Sequence, residues 1–206
     1  MEKPIREYVA SWPEKHPNIT TKHLASHSSG VRHYKKENDD DSDHDTKYPE
    51  FYSQVPYKTI DEALEVFKND DLLCDPGTEF HYTTHGYTVL SAVIEAVAKE
   101  PFVKHIKKMF KTLGLNNTYV DENDPIIPYR AKYYQRDKDH KLKNVPYVDN
   151  SMKWAGGGFL STVGDLLQFG NAMLYSYQYS SDETDKEKKP ENVVFTPTPY
   201  SAINER

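Results

Sequence analysis

Apolar residues recur along this chain mostly at helical spacing. Thr59-Ile60-Asp61-Glu62 has the form of a capping box and opens a short helix with Ala63, Leu64 and Phe67 on its apolar side. Leu90, Val93, Ile94, Val97 and Ala98 fall at i, i+3, i+4, i+7 and i+8, which predicts a second helix with those residues as its buried stripe. Pro101 suits the first turn of a third, with Phe102, Ile106, Met109, Phe110 and Leu113 inward and Gly114 at its end. Tyr129 to Gln135 and Leu142 to Val148 read as two strands joined by the polar turn Arg136-Asp137-Lys138-Asp139-His140. A last helix begins near Thr162, whose side chain can cap it; Asp165 favours its N-terminus, and Leu166, Phe169, Met173 and Leu174 form its expected buried stripe. The reading is α-rich with one hairpin, and no internal repeat is visible.

Composition tempers that picture. With tyrosine left out and glycine counted in, about a third of the 206 residues are apolar, against roughly 45–50% in an ordinary soluble domain. Mean hydropathy is −0.84. The core is expected to be thin or incomplete, although 16 tyrosines supply surface that can be buried. The single cysteine, Cys74, excludes an intramolecular disulfide framework and a cysteine-based zinc site. Val89 to Ala98, the longest apolar stretch, is interrupted by Ser91 and Glu95 and falls short of the ~20 residues of a membrane span. Met1-Glu2-Lys3-Pro4 reads as neither a signal peptide nor an Arg-rich transit peptide.

The net charge of −6 is concentrated. Lys35 and Lys36 stand against Glu37, Asp39, Asp40, Asp41, Asp43 and Asp45, so one short run holds most of the excess. It lacks the Gly at position 6 and the Glu at position 12 of an EF-hand loop, and residues 34–50 are expected to be an acidic surface insertion. Residues 179–192 read as a charged linker. Lys104, Lys107, Lys108 and Lys111 lie opposite the apolar face of the third helix, a solvated face rather than a nucleic-acid site.

Three segments carry chemistry: Ile19 to Val31, containing His27-Ser28-Ser29-Gly30; Pro76 to Tyr87, containing Tyr82-Thr83-Thr84; and Trp154 to Leu167, containing Gly156-Gly157-Gly158-Phe159-Leu160-Ser161-Thr162. In this order and spacing the chain resembles the serine β-lactamase-like family, which includes class C β-lactamases, penicillin-binding carboxypeptidases and related esterases. The likeness is strongest to animal mitochondrial members and includes Pro146-Tyr147-Val148-Asp149-Asn150-Ser151. His-Ser-Ser-Gly stands where His-Thr-Ser-Gly is usual. The resemblance implies an α+β, β-lactamase/transpeptidase-like fold, seen mostly as its helical middle portion with one β-hairpin and with the central antiparallel sheet largely absent. It also implies residues 1–206 as one partial domain, a mitochondrial location, and no cofactor or metal.

In that family a serine in Ser-x-x-Lys attacks a carbonyl, a Tyr-x-Asn-like element transfers protons, and a Lys/His-Thr-Gly strand borders the oxyanion site. By resemblance Tyr82 is the proton-transfer group and Thr84 replaces the commoner Asn, offering one hydroxyl in place of an amide. Trp154, Gly157 and Gly158 are implied on the substrate side. No serine here has lysine three residues later, and no Lys-Thr-Gly or His-Thr-Gly occurs. The chain is therefore expected to be the middle of a serine hydrolase of the peptidase, amidase or esterase class, inactive in isolation. A free tyrosine is deprotonated in only about one molecule in a thousand at pH 7. Bringing its pKa to ~7 takes about 4 kcal/mol of anion stabilisation, which nearby lysines would have to supply. Expected partners are a peptide, ester or amide substrate in the complete protein and further copies in self-assembly, with neither nucleic acid nor a membrane span. The alternative is a non-catalytic scaffold.

Plainer readings stand beside these. Tyr82 also fits a half-buried aromatic at a helix start. His81/His85 and His23/His27 have the i, i+4 spacing of a zinc pair, but Tyr82 and Leu24 follow the first histidine where Glu is needed, and no third ligand is evident. Gly156-Gly157-Gly158 has no following Gly-Lys-Ser/Thr and reads as a close backbone approach or a tight turn. Cys74 reads as an ordinary thiol.

Overall fold

The computed structural model describes residues 3–16, 18–36 and 48–181, with side chains through 177. The acidic run from Glu37 to Asp45 and most of the expected charged linker lie outside the described residues. Helices dominate: α1 Thr21–Ala25, α2 Ile60–Leu64, α3 Thr84–Ala98, α4 Phe102–Thr112, the single turn α5 Trp154–Gly157, and α6 Val163–Ser181, with 3-10 turns at Ile5–Glu7 and Ser151–Lys153. Two small sheets complete the described residues. One pairs β1 Tyr119–Val120 with β4 Phe159–Leu160; the other is the hairpin β2 Tyr134–Arg136 with β3 Leu142–Asn144. Among the described residues there is no larger sheet, as the α+β reading expects. No described helix is long and apolar enough to cross a membrane.

Backbone contacts divide the chain into two compact units, one from Met1–Phe102 and Val120–Phe159, the other from Val103–Tyr119 and Leu160–Arg206. In the first, Ile5, Ile19, Leu24, Leu64, Val89 and Met152 are fully buried. Each such side chain contributes roughly 1.5–3 kcal/mol of transfer free energy. α2 follows its capping signal: Thr59 Oγ1 accepts Glu62 N–H at 3.2 Å, and Glu62 reaches back to Lys58 N–H at 2.7 Å. Ala63, Leu64 and Phe67 face inward as expected.

α3 contains the expected Leu90–Ala98 stretch but begins at Thr84, and the face it buries matches the expected stripe only in part. The buried residues are Thr84, His85, Gly86, Thr88, Val89, Ser91, Ala92 and Val93; of the expected stripe Val93 is buried, while Ile94 and Val97 are 37% and 63% exposed. Polar anchors explain the difference. Thr83 caps the helix by accepting Gly86 N–H at 3.3 Å, Thr88 Oγ1 donates to Met152 O at 2.9 Å, and His85 Nε2 lies 3.1 Å from Glu50. With these fixed inside, Ile94 and Val97 are carried outward.

The hairpin is shorter than expected, with register Tyr134↔Asn144, Gln135↔Lys143 and Arg136↔Leu142. Arg136, assigned to the turn from sequence, belongs to β2, and Tyr129 at φ +57° cannot extend that strand. Asp137 shapes the turn by accepting Asp139 N–H and Lys141 N–H, both at 2.9 Å.

In the second unit α4 ends as predicted. Gly114 adopts φ +70°, and Leu115 N–H donates to Phe110 O at 2.9 Å. Ile106, Phe110, Leu113 and Leu115 are buried, and Lys104, Lys107, Lys108 and Lys111 are exposed. α6 begins at its Thr162 signal, Thr162 Oγ1 accepting Asp165 N–H at 3.3 Å, but its buried positions are Asp165, Ala172 and Ser176. Leu166, Met173 and Leu174 of the expected stripe are 61%, 37% and 50% exposed. Asp165 sets this face, because its carboxylate accepts Asn117 N–H at 2.8 Å and the Thr118 hydroxyl at 2.7 Å.

Candidate active site

The three sequence segments meet at the start of α3. His27-Ser28-Ser29-Gly30 lies along the Leu73–His81 backbone: Gly77 N–H donates to Ser28 O at 2.7 Å, His81 N–H to His27 O at 2.8 Å, and Leu73 N–H to Gly30 O at 2.8 Å. Gly30 is required there. It adopts φ +75°, and a Cβ would sit 2.3 Å from Cys74 O. Further on, Thr83 N–H donates to His27 Nδ1 and Thr84 N–H to His33 Nδ1, each at 3.2 Å, and Thr83 Oγ1 donates to Arg32 O at 2.6 Å. The glycine run closes from the other side, where a Cβ on Gly156 would meet Thr84 Cγ2 at 2.4 Å.

Tyr82 stands at this junction, 56% exposed, with its ring 4.6 Å from His27 and 5.4 Å from His33. Both histidines accept through Nδ1, so their neutral rings carry the proton on Nε2. Burial lowers the pKa of each, and His85 adds to the effect on His33. Tyr34 is different: burial, reinforced by Tyr82 and Glu50 and opposed by a hydrogen bond with Thr84, pushes its hydroxyl up to about 12. Of these two tyrosines, Tyr82 is the more exposed.

Both line an open cleft of ≈ 1380 Å³. Many of its wall residues are aromatic, including Phe51, Tyr133, Tyr147 and Phe159, with Asp121, Arg130, Lys132 and Lys153 as charged members. Asp121 is buried, bound to Arg130 at 2.5 Å, and accepts Asn150 Nδ2 at 2.7 Å, which fixes the Pro146–Ser151 segment as one wall. Lys153 is 4% exposed. Burial, opposed by the field of Asp149, lowers its pKa to about 8.

A part-buried ion network ties down both ends of the segment expected as an insertion. Arg32 binds Glu50 through two bonds of 2.8 Å and Asp70 at 2.5 Å. His85 is fully buried, stacks on Phe67 with ring centroids 4.2 Å apart, and touches Glu50. Burial favours the protonated acid, but hydrogen bonds from His85, Arg32 and Lys35 N–H prevail and hold Glu50 down to about 2. His81, four residues before His85, faces Glu79 at 3.1 Å.

Tyr82, Thr84 and Gly157 thus line one cleft. Trp154 and Gly158 are not among its lining residues; Gly158 N–H donates to Trp154 O at 3.0 Å, closing the turn behind Gly157. Sequence reasoning missed His33, Tyr34 and Lys153. His33 and Tyr34 lie two and three residues after Val31, the end of the first segment, and Lys153 directly precedes the third, so nearness in sequence was the available signal.

Known proteins resemble this chain in sequence and in fold. The mouse mitochondrial serine beta-lactamase-like protein LACTB is 34% identical over 99% of this chain and 50% of its own length. The chain spans about half the length of the curated mitochondrial relatives it matches. Among solved structures, the D-stereospecific amidohydrolase from a Streptomyces species superposes with TM-score 0.66 at 21% identity, over 85% of this chain and 53% of that one. The octameric penicillin-binding protein homologue from Pyrococcus abyssi gives TM-score 0.63 at 24% identity, over 84% and 39%. These likenesses show a β-lactamase/transpeptidase-like fold. The Beta-lactamase family profile matches residues 1–199, and the chain belongs to that family of serine β-lactamase-like hydrolases.

Proposed function

We propose that these residues form the proton-transfer half of a serine-hydrolase acyl-transfer site, acting on an amide, peptide or ester bond. Tyr82 is the proton-transfer group and Thr84 its neighbour. Gly157, backed by Trp154 and Gly158, borders the substrate. The observation that carries this reading is the convergence of three separate segments on Tyr82-Thr83-Thr84 beside an aromatic cleft. An amidohydrolase among the structural relatives supports amide chemistry. The mitochondrial relatives support a mitochondrial location.

The serine-lysine pair and the Lys/His-Thr-Gly strand are supplied, on this proposal, by sequence outside these 206 residues. No cofactor enters. In another serine hydrolase, loss of the nucleophile alone lowers turnover by roughly a millionfold, so the chain by itself transfers no acyl group. Sequencing the transcript to either side tests this. An in-frame Ser-x-x-Lys upstream and Lys/His-Thr-Gly downstream are expected; a message that starts at Met1 and stops after Arg206 overturns it.

That second outcome favours a non-catalytic, self-assembling scaffold. Two observations support this reading: the exposed Leu166, Leu167 and Leu174 on α6, and an octameric relative. Where the transcript extends on both sides, fluorophosphonate labelling of the complete protein tells an active serine from an inert one.

A further inference from the structure

Lys153 is the one buried ammonium in the cleft wall, and its surroundings leave it short of an anion. Its Nζ donates to Phe51 O and lies 4.1 Å from the Phe51 ring centroid and 5.4 Å from that of Tyr34. The rings stabilise the cation in part. An ammonium has three donors, and the carbonyl takes one. Among the described residues no carboxylate lies within ion-pair distance of Nζ. Asp149 is the carboxylate acting on it electrostatically, but its oxygens are occupied: Oδ2 accepts the Tyr147 hydroxyl at 2.7 Å, and Oδ1 accepts Ser151 N–H at 2.9 Å and the Ser151 hydroxyl. A cation taken out of water with no counter-charge is unfavourable, and an incoming anion relieves it.

We propose that Lys153 is the anion-binding residue of the cleft and takes the carboxylate of a ligand whose aromatic or other apolar body packs on Tyr34 and Phe51. Two donors remain for an incoming anion, which the ammonium meets as a compact point charge. The lowered pKa of Lys153 agrees with this geometry, since an ammonium with a resident partner would be held up instead. The inference rests on the cleft being the ligand site, as in the proposed function, and not on Tyr82 moving protons.

Calorimetric titration of the 206-residue chain with N-acetylphenylalanine and with its neutral carboxamide tests this without any turnover. At pH 7 the carboxylate is expected to bind about 10–100-fold more tightly than the carboxamide. Lys153→Met and Lys153→Gln should bring the two within about 3-fold, and Lys153→Arg should keep most of the preference. Thermal unfolding establishes that each variant is folded. In reductively ¹³C-methylated protein, the Lys153 resonance, assigned against Lys153→Arg, should titrate at higher pH once N-acetylphenylalanine is bound. The proposal is overturned if the wild-type chain binds both probes alike or neither, if Lys153→Met retains the preference, or if the Lys153 titration does not move. Because binding alone is measured, failure here leaves the transcript test of the hydrolase reading untouched, and failure there leaves this one standing.

Discussion

Replacing Glu50 by Gln removes one charge and keeps the shape, and the outcome depends on pH in a way the ion network specifies. Glu50 is 15% exposed at its side chain and receives two bonds of 2.8 Å from Arg32, one of 3.1 Å from Lys35 N–H, and the contact with His85. Folding moves its pKa from an ordinary 4.5 down to about 2. At 1.36 kcal/mol per pKa unit, with some relief from nearby solvent, the folded state gains about 2–3 kcal/mol from the carboxylate. A carboxylate held down by folding contributes fully above its unfolded pKa, and the contribution fades as pH falls towards the folded value. Urea unfolding of wild type and Glu50→Gln should therefore differ by about 2–3 kcal/mol at pH 7, and the gap should narrow by about 1 kcal/mol between pH 5 and pH 3.5. Effects of acid common to both proteins cancel in the difference. A gap that stays constant down to pH 3.5 would refute the assignment of Glu50 as a charged anchor.

Other substitutions probe the joints of the site. Gly156→Ala places a methyl against Thr84 and should cost about 1–3 kcal/mol in urea unfolding, more than Gly157→Ala, whose added Cβ meets nothing within 4 Å. Gly30→Ala combines a positive φ with a clash against Cys74 O and should cost above about 2 kcal/mol, read as a fall in Tm. Asp165→Ala removes the acceptor of Asn117 and Thr118 and should destabilise by about 1–3 kcal/mol, with Asp165→Asn milder; hydrogen exchange at Asn117 N–H should rise in both.

What the sequence made legible was local. The Thr59 cap, the Gly114 stop and the Thr162 start depend on neighbours within a turn, and each lies where its residues put it. Helix faces were misread where distant partners decide them: His85 turns inward to Glu50, Thr88 to Met152 O, and Asp165 to Asn117, none of which a hydrophobic period contains. The same holds at the cleft. Motif order brought Tyr82 and Thr84 into view, whereas Lys153 acquires its setting from Phe51, 102 positions away. Glu50 was read as part of a surface insertion because nothing beside it announces Arg32.

The central claim is that Tyr82 serves an acyl-transfer site whose nucleophile these residues do not carry. Turnover of nitrocefin and of a p-nitrophenyl ester by the purified 206-residue chain, alongside Tyr82→Phe, tests it most directly. The account predicts no turnover above the uncatalysed rate in either protein. Wild-type turnover that disappears on Tyr82→Phe would contradict it.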